Sequence, residues 1–160
     1  DKLCSDKFSH LFDNIDNIQI NYKNKSEVLG QIILLDQLSR NIFRGIPRAY
    51  KYDKKACKIC LDNLSLQIEF VGWSKILFLM PLKHSENLEI HLQNLQIWKE
   101  ICDYYVDDFE KLYLRNYENC YKHFMTIERF KRYPLRNSIL GRESSLEELE
   151  YIKKRENKFF

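Results

Sequence analysis

The sequence predicts an all-α domain, on three observations. Apolar residues recur at three- and four-residue intervals along most of the chain. Only four glycines and three prolines interrupt its 160 residues, too few for many short strands and turns. Helix-start chemistry, clearest in "ESSLEELEYIKK", stands where such apolar runs begin.

Taken in order, Phe8, Leu11, Phe12, Ile15 and Ile18 share one face of a helix expected over 6–20. "NYKNKS" breaks it, and Ser26 is the expected N-cap of the next helix. That helix carries Leu29, Ile32, Ile33, Leu34 and Leu35, apolar on nearly all sides, which makes it central. Gly45 and Pro47 end it. A third helix is expected over Arg48–Asn63, with Ala49, Tyr52, Ala56, Ile59 and Cys60 inward. "SLQIEFVG" alternates weakly, as a short strand does, but has no evident partner strand. "GWSKILFLMP" reads as a short buried helix stopped near Pro81. Ser85 is a candidate cap for a long helix containing Leu88, Leu92, Leu95, Trp98, Ile101 and Cys102.

After "DYYVDD", Phe109, Leu112, Tyr113, Tyr121, Phe124 and Ile127 mark a further helix ending at Tyr133–Pro134. In the final helix Ser144 with Glu147, or Ser145 with Glu148, fits the capping box, and Lys153, Lys154 and Arg155 suit its C-terminal dipole. The sum is about seven helices in a single domain spanning 1–160, in antiparallel hairpins that either bundle or stack as a short solenoid. No repeat with a period of about 34 residues stands out.

Twenty-six basic residues face 23 acidic ones, a net charge of +3 that argues against nucleic acid or an anionic membrane as an obligatory partner. Five cysteines, an odd number in a chain of this size, point to a reducing compartment, and a cytoplasmic location is expected. No run approaches the roughly 20 apolar residues of a membrane span. No signal peptide is evident; the chain opens on Asp1 without a methionine, which leaves a longer N-terminus open.

Three segments carry the candidate chemistry. In "IILLDQLSRNIFRG" (32–45), Asp36, Arg40 and Arg44 follow one another at four-residue spacing and continue the buried stripe, with Asn41 beside them. Burying such charges without partners costs several kcal/mol, so they must pair with one another or with other groups. "ERFKRYPLRNSILGRES" (128–144) brings Arg129, Arg132, Arg136, Asn137 and Arg142, and its Arg-Asn followed by apolar residues and glycine echoes the first segment. Arginine's planar donors suit carboxylate or phosphate. "MPLKHSENLE" (80–89) places His84 next to Ser85 and Glu86, a pairing capable of proton transfer near neutral pH.

Each has a plainer reading: a salt bridge closing a helix end for Asp36–Arg40, a solvated basic surface for 129–142, and a helix cap for Ser85. Cys57-x-x-Cys60 lies within a predicted helix without a second cysteine pair, which argues against metal or redox use. His10, His91 and His123 stand singly and read as surface or packing residues. No metal site or cofactor motif is expected.

Together "IILLDQLSRNIFRGIPRAYKYDKKA", "LFLMPLKHSENLEIHLQ" and "IERFKRYPLRNSILGRESSLEELEYI" resemble, in order, the motifs of the domain of unknown function 924 family. The resemblance covers about Leu29 to Tyr151 and implies a tetratricopeptide-like helical arrangement without supplying a reaction. Its polar motif positions fall on Asp36, Gln37, Arg40, Asn41, Arg44, Gly45, Pro47 and Asp53. They continue on His84, Ser85 and Glu86, then on Arg129, Arg132, Pro134, Arg136, Asn137, Gly141, Arg142, Ser144 and Glu147. Ser39 stands at a family proline, Ile46 at a threonine, Lys131 at a glycine and Leu135 at a histidine. Loss of that histidine removes one proton-transfer candidate, whereas every arginine of the pattern is kept.

Two functions follow as expectations. One is an arginine-rich pocket for a small anionic ligand, built from Asp36, Arg40, Asn41, Arg44, His84, Glu86, Arg132, Arg136, Asn137 and Arg142. Asp36, His84 and Glu86 are its candidates for acid, base or orienting roles, and whether anything is turned over stays open. It requires Arg40 and Arg136 within about 15 Å of each other. The other is a non-catalytic module for a protein or peptide partner, its polar motifs serving as structural salt bridges. Nucleic-acid binding through 122–136 ranks behind both, and oligomeric state is open.

Overall fold

A computed structural model describes residues 2–13, 15, 24–104 and 108–156, and every regular element among them is helical. The eight α-helices are α1 (Lys2–Phe8), α2 (Lys25–Ile32), α3 (Ser39–Ile42), α4 (Asp53–Asp62), α5 (Trp73–His84), α6 (Leu88–Tyr104), α7 (Glu110–Phe130) and α8 (Leu146–Glu156). α2 and α3 are joined without a break by a π-helical stretch, Ile33–Leu38, so one continuous rod stands where the sequence predicts one helix. None of these helices is long and apolar enough to cross a membrane.

The first helix is shorter than expected. It ends at Phe8 and tightens into a 3₁₀ turn, Ser9–Phe12, which sets Phe12 edge-on to Phe43 at 5.0 Å and against Tyr52 at 5.5 Å. Ile15 is buried in the same cluster; Ile18, the first half of "NYKNKS" and the middle of "DYYVDD" lie outside the described residues. Asn24, not Ser26, caps α2: its Oδ1 accepts the amides of Ser26 at 3.0 Å and Glu27 at 3.4 Å.

The π stretch is where the rod meets the core. Leu34, Leu35 and Asp36 are buried in succession, and Ser39 donates its amide to Leu34 and its hydroxyl to the Leu35 carbonyl at 2.6 Å. A π turn adds a residue to the helical turn and recurs at functional sites in proteins generally.

The expected third helix is split. A 3₁₀ turn, Pro47–Tyr50, precedes α4, and Ala49, Tyr52, Ala56, Ile59 and Cys60 all face inward. Residues Leu64–Glu69, the strand candidate, form a 3₁₀ helix. α5 packs against α2, α4, α6, α7 and the π stretch, which makes it the central element.

α5 also runs through Pro81 to His84 rather than stopping. Proline removes one helical N–H and crowds the preceding turn. Here both Pro81 and Leu82 are buried, and burial of one aliphatic side chain stabilises by about 1.5–3 kcal/mol, enough to hold the last turn. That turn carries Lys83 and His84 to the polar cluster.

Asn87 rather than Ser85 starts α6, accepting the amides of Glu89 at 2.8 Å and Ile90 at 3.2 Å; Ser85 accepts from Asn87 instead. At the last helix the second capping-box option holds: Glu148 accepts the Ser145 amide at 2.8 Å and Ser145 accepts that of Glu148 at 3.2 Å.

α7 ends at Phe130, before the expected Tyr133, because Lys131 adopts the left-handed conformation (φ 58°) and donates its amide to Ile127 at 2.8 Å. This is the position where the family pattern has glycine. A side chain costs about 1–2 kcal/mol in that conformation, partly offset by glycine's greater freedom when unfolded. Lys131→Gly is therefore expected to stabilise the protein by about 0.5–1 kcal/mol, read as a higher urea midpoint at unchanged slope. A lowered midpoint contradicts this account.

Candidate functional site

Asp36 sits at the centre of the polar cluster with no exposed surface. Its carboxylate accepts from His84 Nδ1 at 2.7 and 3.0 Å, from Gln37 and from Arg40 Nη2 at 3.3 Å. Burial alone raises a carboxyl, but the His84 and Arg40 contacts outweigh it and hold Asp36 below the ordinary carboxylate range. The π stretch supplies Asp36 and Gln37, α3 supplies Arg40, and the turn beyond Pro81 supplies His84.

Asp53, at the start of α4, joins this group to the second arginine segment. One carboxylate oxygen accepts from Arg40 at 2.9 Å and the other from Arg136 at 3.1 Å. Arg40 and Arg136 thus share one carboxylate. Arg136 also donates to the His84 carbonyl at 3.0 Å, and its guanidinium lies 4.4 Å from the Tyr133 ring and 4.8 Å from that of Tyr50. Burial, reinforced by the Asp36 charge, raises the Asp53 carboxyl despite its two arginines.

A second paired unit abuts the first. Glu86 binds Arg142 in two-pronged fashion at 2.7 and 3.0 Å and accepts the Tyr133 amide at 2.8 Å. Arg142 returns a bond to the Tyr133 carbonyl at 3.0 Å and one to Asn137, which in turn donates to Ser144. Arg132 lies apart, on Glu148 at 2.7 and 2.8 Å. Arg44 is exposed and donates to Asn41 at 2.9 Å, and Arg129 pairs with Glu147 on the surface.

Tyr133 is the hub the sequence reading missed, together with two histidines it read as solitary. The Tyr133 hydroxyl donates to the Lys83 carbonyl, accepts from His123 at 3.0 Å and lies 3.3 Å from His91. His91 donates to the Ser85 carbonyl at 2.8 Å. His91 and His123 share one phenol, and the His84 ring stands 6.3 Å from that of His123, so none of the three stands singly. Burial drives all three downward, His84 to about 4 against the pull of Asp36 and His123 to about 3, so they are uncharged at neutral pH.

Beside this network opens a cleft of about 560 Å³. Among the expected site residues His84, Glu86 and Arg136 line it; Asp36, Arg40, Asn41, Arg44, Arg132, Asn137 and Arg142 do not. It also collects Tyr50, Asp53 and three lysines, Lys51, Lys54 and Lys131. Its charged lining is thus four cations against the carboxylates of Asp53 and Glu86. Pro47 and Leu140 add apolar surface. Three exposed lysines on separate turns carry no sequence signature, which is why the reading centred on arginines passed over them.

A groove of similar size, about 580 Å³, lies elsewhere against Ile68, Ile97, Ile101 and Tyr104 and contains none of the expected site residues. No group of three or more histidine, cysteine, aspartate or glutamate side chains among the described residues is placed to hold a metal ion. Cys57 and Cys60 are buried and burial raises both thiols, Cys57 to about 11, which keeps them protonated.

Over residues 1–156 the chain matches the sequence profile of DUF924, described as a bacterial protein of unknown function. It is similar to the solved structure of a protein of unknown function from Agrobacterium tumefaciens, with a TM-score of 0.77 and 25% identity. The likeness covers 93% of this chain and 81% of that one. No curated protein matches the chain.

Proposed function

The chain belongs to the DUF924 family of bacterial proteins of unknown function, so its function rests on its own residues, and we propose that it binds a small anionic ligand, bearing phosphate or carboxylate, in the cleft beside Asp53, His84 and Arg136. The observation that carries this is the excess of cations in a concave lining drawn from three distant segments. The role of the arginines is divided. Arg40, Arg132 and Arg142 are held by protein carboxylates and do not line the cleft, while Arg136 and the lysines at 51, 54 and 131 face the ligand. On this reading the protein is cytosolic and binds a metabolite-sized molecule.

Thermal-shift titration with inorganic phosphate, pyrophosphate and citrate tests this. A ligand at 100 times its dissociation constant adds about 2.7 kcal/mol, a rise of roughly 5–10 °C for a domain of this size. Combined Lys51→Ala and Lys54→Ala is expected to abolish the rise, and Arg132→Ala, outside the cleft, to keep it. Asp53→Asn removes one of two opposing carboxylates and is expected to tighten anion binding about tenfold while lowering the stability of the free protein. Anions that leave the melting temperature unchanged, or an Asp53→Asn variant that binds them no better, overturn the proposal.

The second reading, an interaction module for a protein or peptide, draws on the apolar groove, where Ile68 and Tyr104 are 69% and 81% exposed. It gains if anions have no effect and substitution of Ile68 by Asp abolishes association with a partner.

A further inference from the structure

His84 offers two ring nitrogens, and the fold has committed one of them. Nδ1 lies 2.7 and 3.0 Å from the two oxygens of Asp36, and a carboxylate there can only accept, so Nδ1 carries the hydrogen. Asp36 and Asp53 are matched by Arg40 and Arg136, so the cluster balances its charge without a second proton on the imidazole. Burial favours the same neutral ring. Nε2 is then a bare lone pair.

No protein group among the described residues donates to that lone pair. Nε2 is also absent from the buried polar atoms left without a partner, and 15% of the side chain is exposed, so solvent reaches it. His84 stands in the wall of the cleft, and Arg136, a cation of the same wall, donates to the His84 carbonyl at 3.0 Å. The cleft therefore pairs an anion-seeking region with an acceptor that asks for a hydrogen-bond donor.

We infer that the ligand class is a hydroxylated anion, such as a hydroxy acid or a polyol phosphate, whose hydroxyl donates to His84 Nε2 while its carboxylate or phosphate lies among Arg136, Lys51, Lys54 and Lys131. This rests on the anion-binding reading and narrows it. A simple anion without a hydroxyl leaves the lone pair to water. A molecule with only acceptors on that side sets two lone pairs against each other. Asp36 acts through the ring as a positioning residue, fixing which nitrogen carries the hydrogen.

Two measurements test this. Long-range ¹H–¹⁵N correlation on the unliganded protein at pH 7 is expected to show His84 neutral, protonated at Nδ1 and bare at Nε2. A doubly protonated ring, or hydrogen on Nε2, overturns the inference and leaves anion binding standing. Isothermal titration then compares lactate with propionate, and glycerol 3-phosphate with propyl phosphate. Each hydroxylated member is expected to bind roughly three- to tenfold more tightly, the worth of one ordinary hydrogen bond. His84→Gln, which keeps an acceptor, is expected to retain the preference, and His84→Leu to erase it. Equal binding within each pair overturns the hydroxyl requirement alone. Absence of binding by all four overturns the anion-binding reading, and the ligand class falls with it.

Discussion

Asp36→Ala is expected to destabilise the protein by about 3–5 kcal/mol, lowering its melting temperature by roughly 6–20 °C. Surface ion pairs contribute about 0–1 kcal/mol, and the difference comes from burial. The Asp36 side chain has no exposure, and three donors from two separate stretches of helix converge on it. Removing it strands the Nδ1–H of His84 in the interior and leaves Arg40 with Asp53 as its remaining carboxylate. Because Arg40 keeps that partner, the lower end of the range is the sharper expectation. Urea unfolding of Asp36→Ala, His84→Ala and the double variant checks this, with a coupling energy above about 1 kcal/mol expected for two groups in direct contact. A single-variant loss under 1 kcal/mol contradicts a structural role for the pair.

Acidification is expected to weaken the fold well above the range where carboxylates titrate. His84 and His123 are held at about 4 and about 3, below the value near 6.5 of the unfolded chain, and His91 is shifted the same way. Between pH 6.5 and 4 the unfolded chain binds protons that the folded protein refuses. The stabilisation from these uncharged rings is therefore complete above about pH 6.5 and lost as pH falls through the folded values. Each ring contributes a slope of up to about 1.36 kcal/mol per pH unit in that window. Below about pH 4 the depressed carboxyl of Asp36 adds a further loss of the same sign. Urea midpoints measured from pH 8 to 4.5 should stay level and then decline from about pH 6.5. A level profile down to pH 5 contradicts the buried, neutral state of the cluster, and His123→Phe should flatten the decline.

What the sequence made legible was the part of the structure written in local spacing. Asp36 and Arg40 are four residues apart and meet as such a pair meets on a helix. Ser145 and Glu148 satisfy each other's amides because a three-residue offset brings them together. The apolar intervals that mark helices also mark buried faces, so most of the core follows from them. What was hidden depends on separations no local pattern encodes. Asp53 gathers Arg40 and Arg136 from 13 and 83 residues away. Tyr133 reaches Lys83 and His91 across α5 and α6, so His91 and His123, which look isolated in sequence, share one phenol. Pro81 reads as a stop because a local rule sees the missing amide and not the core that buries the ring. The arginines carried a family pattern and the cleft lysines carried none, although both face the same space at Arg136 and Lys131.

The bond between Arg136 and Asp53 spans 83 residues, and this has a bearing on when the cleft comes into being. Asp36, Arg40 and Asp53 leave the ribosome together and can settle early, while the strand of chain that closes the cleft is still unmade. At ordinary elongation rates that interval is on the order of ten seconds. Until it ends, Asp53 holds Arg40 alone and one side of the cleft does not exist. A chain terminated before residue 131 therefore keeps Lys51, Lys54 and His84 but lacks the side of the cleft formed by Lys131, Arg136 and Leu140.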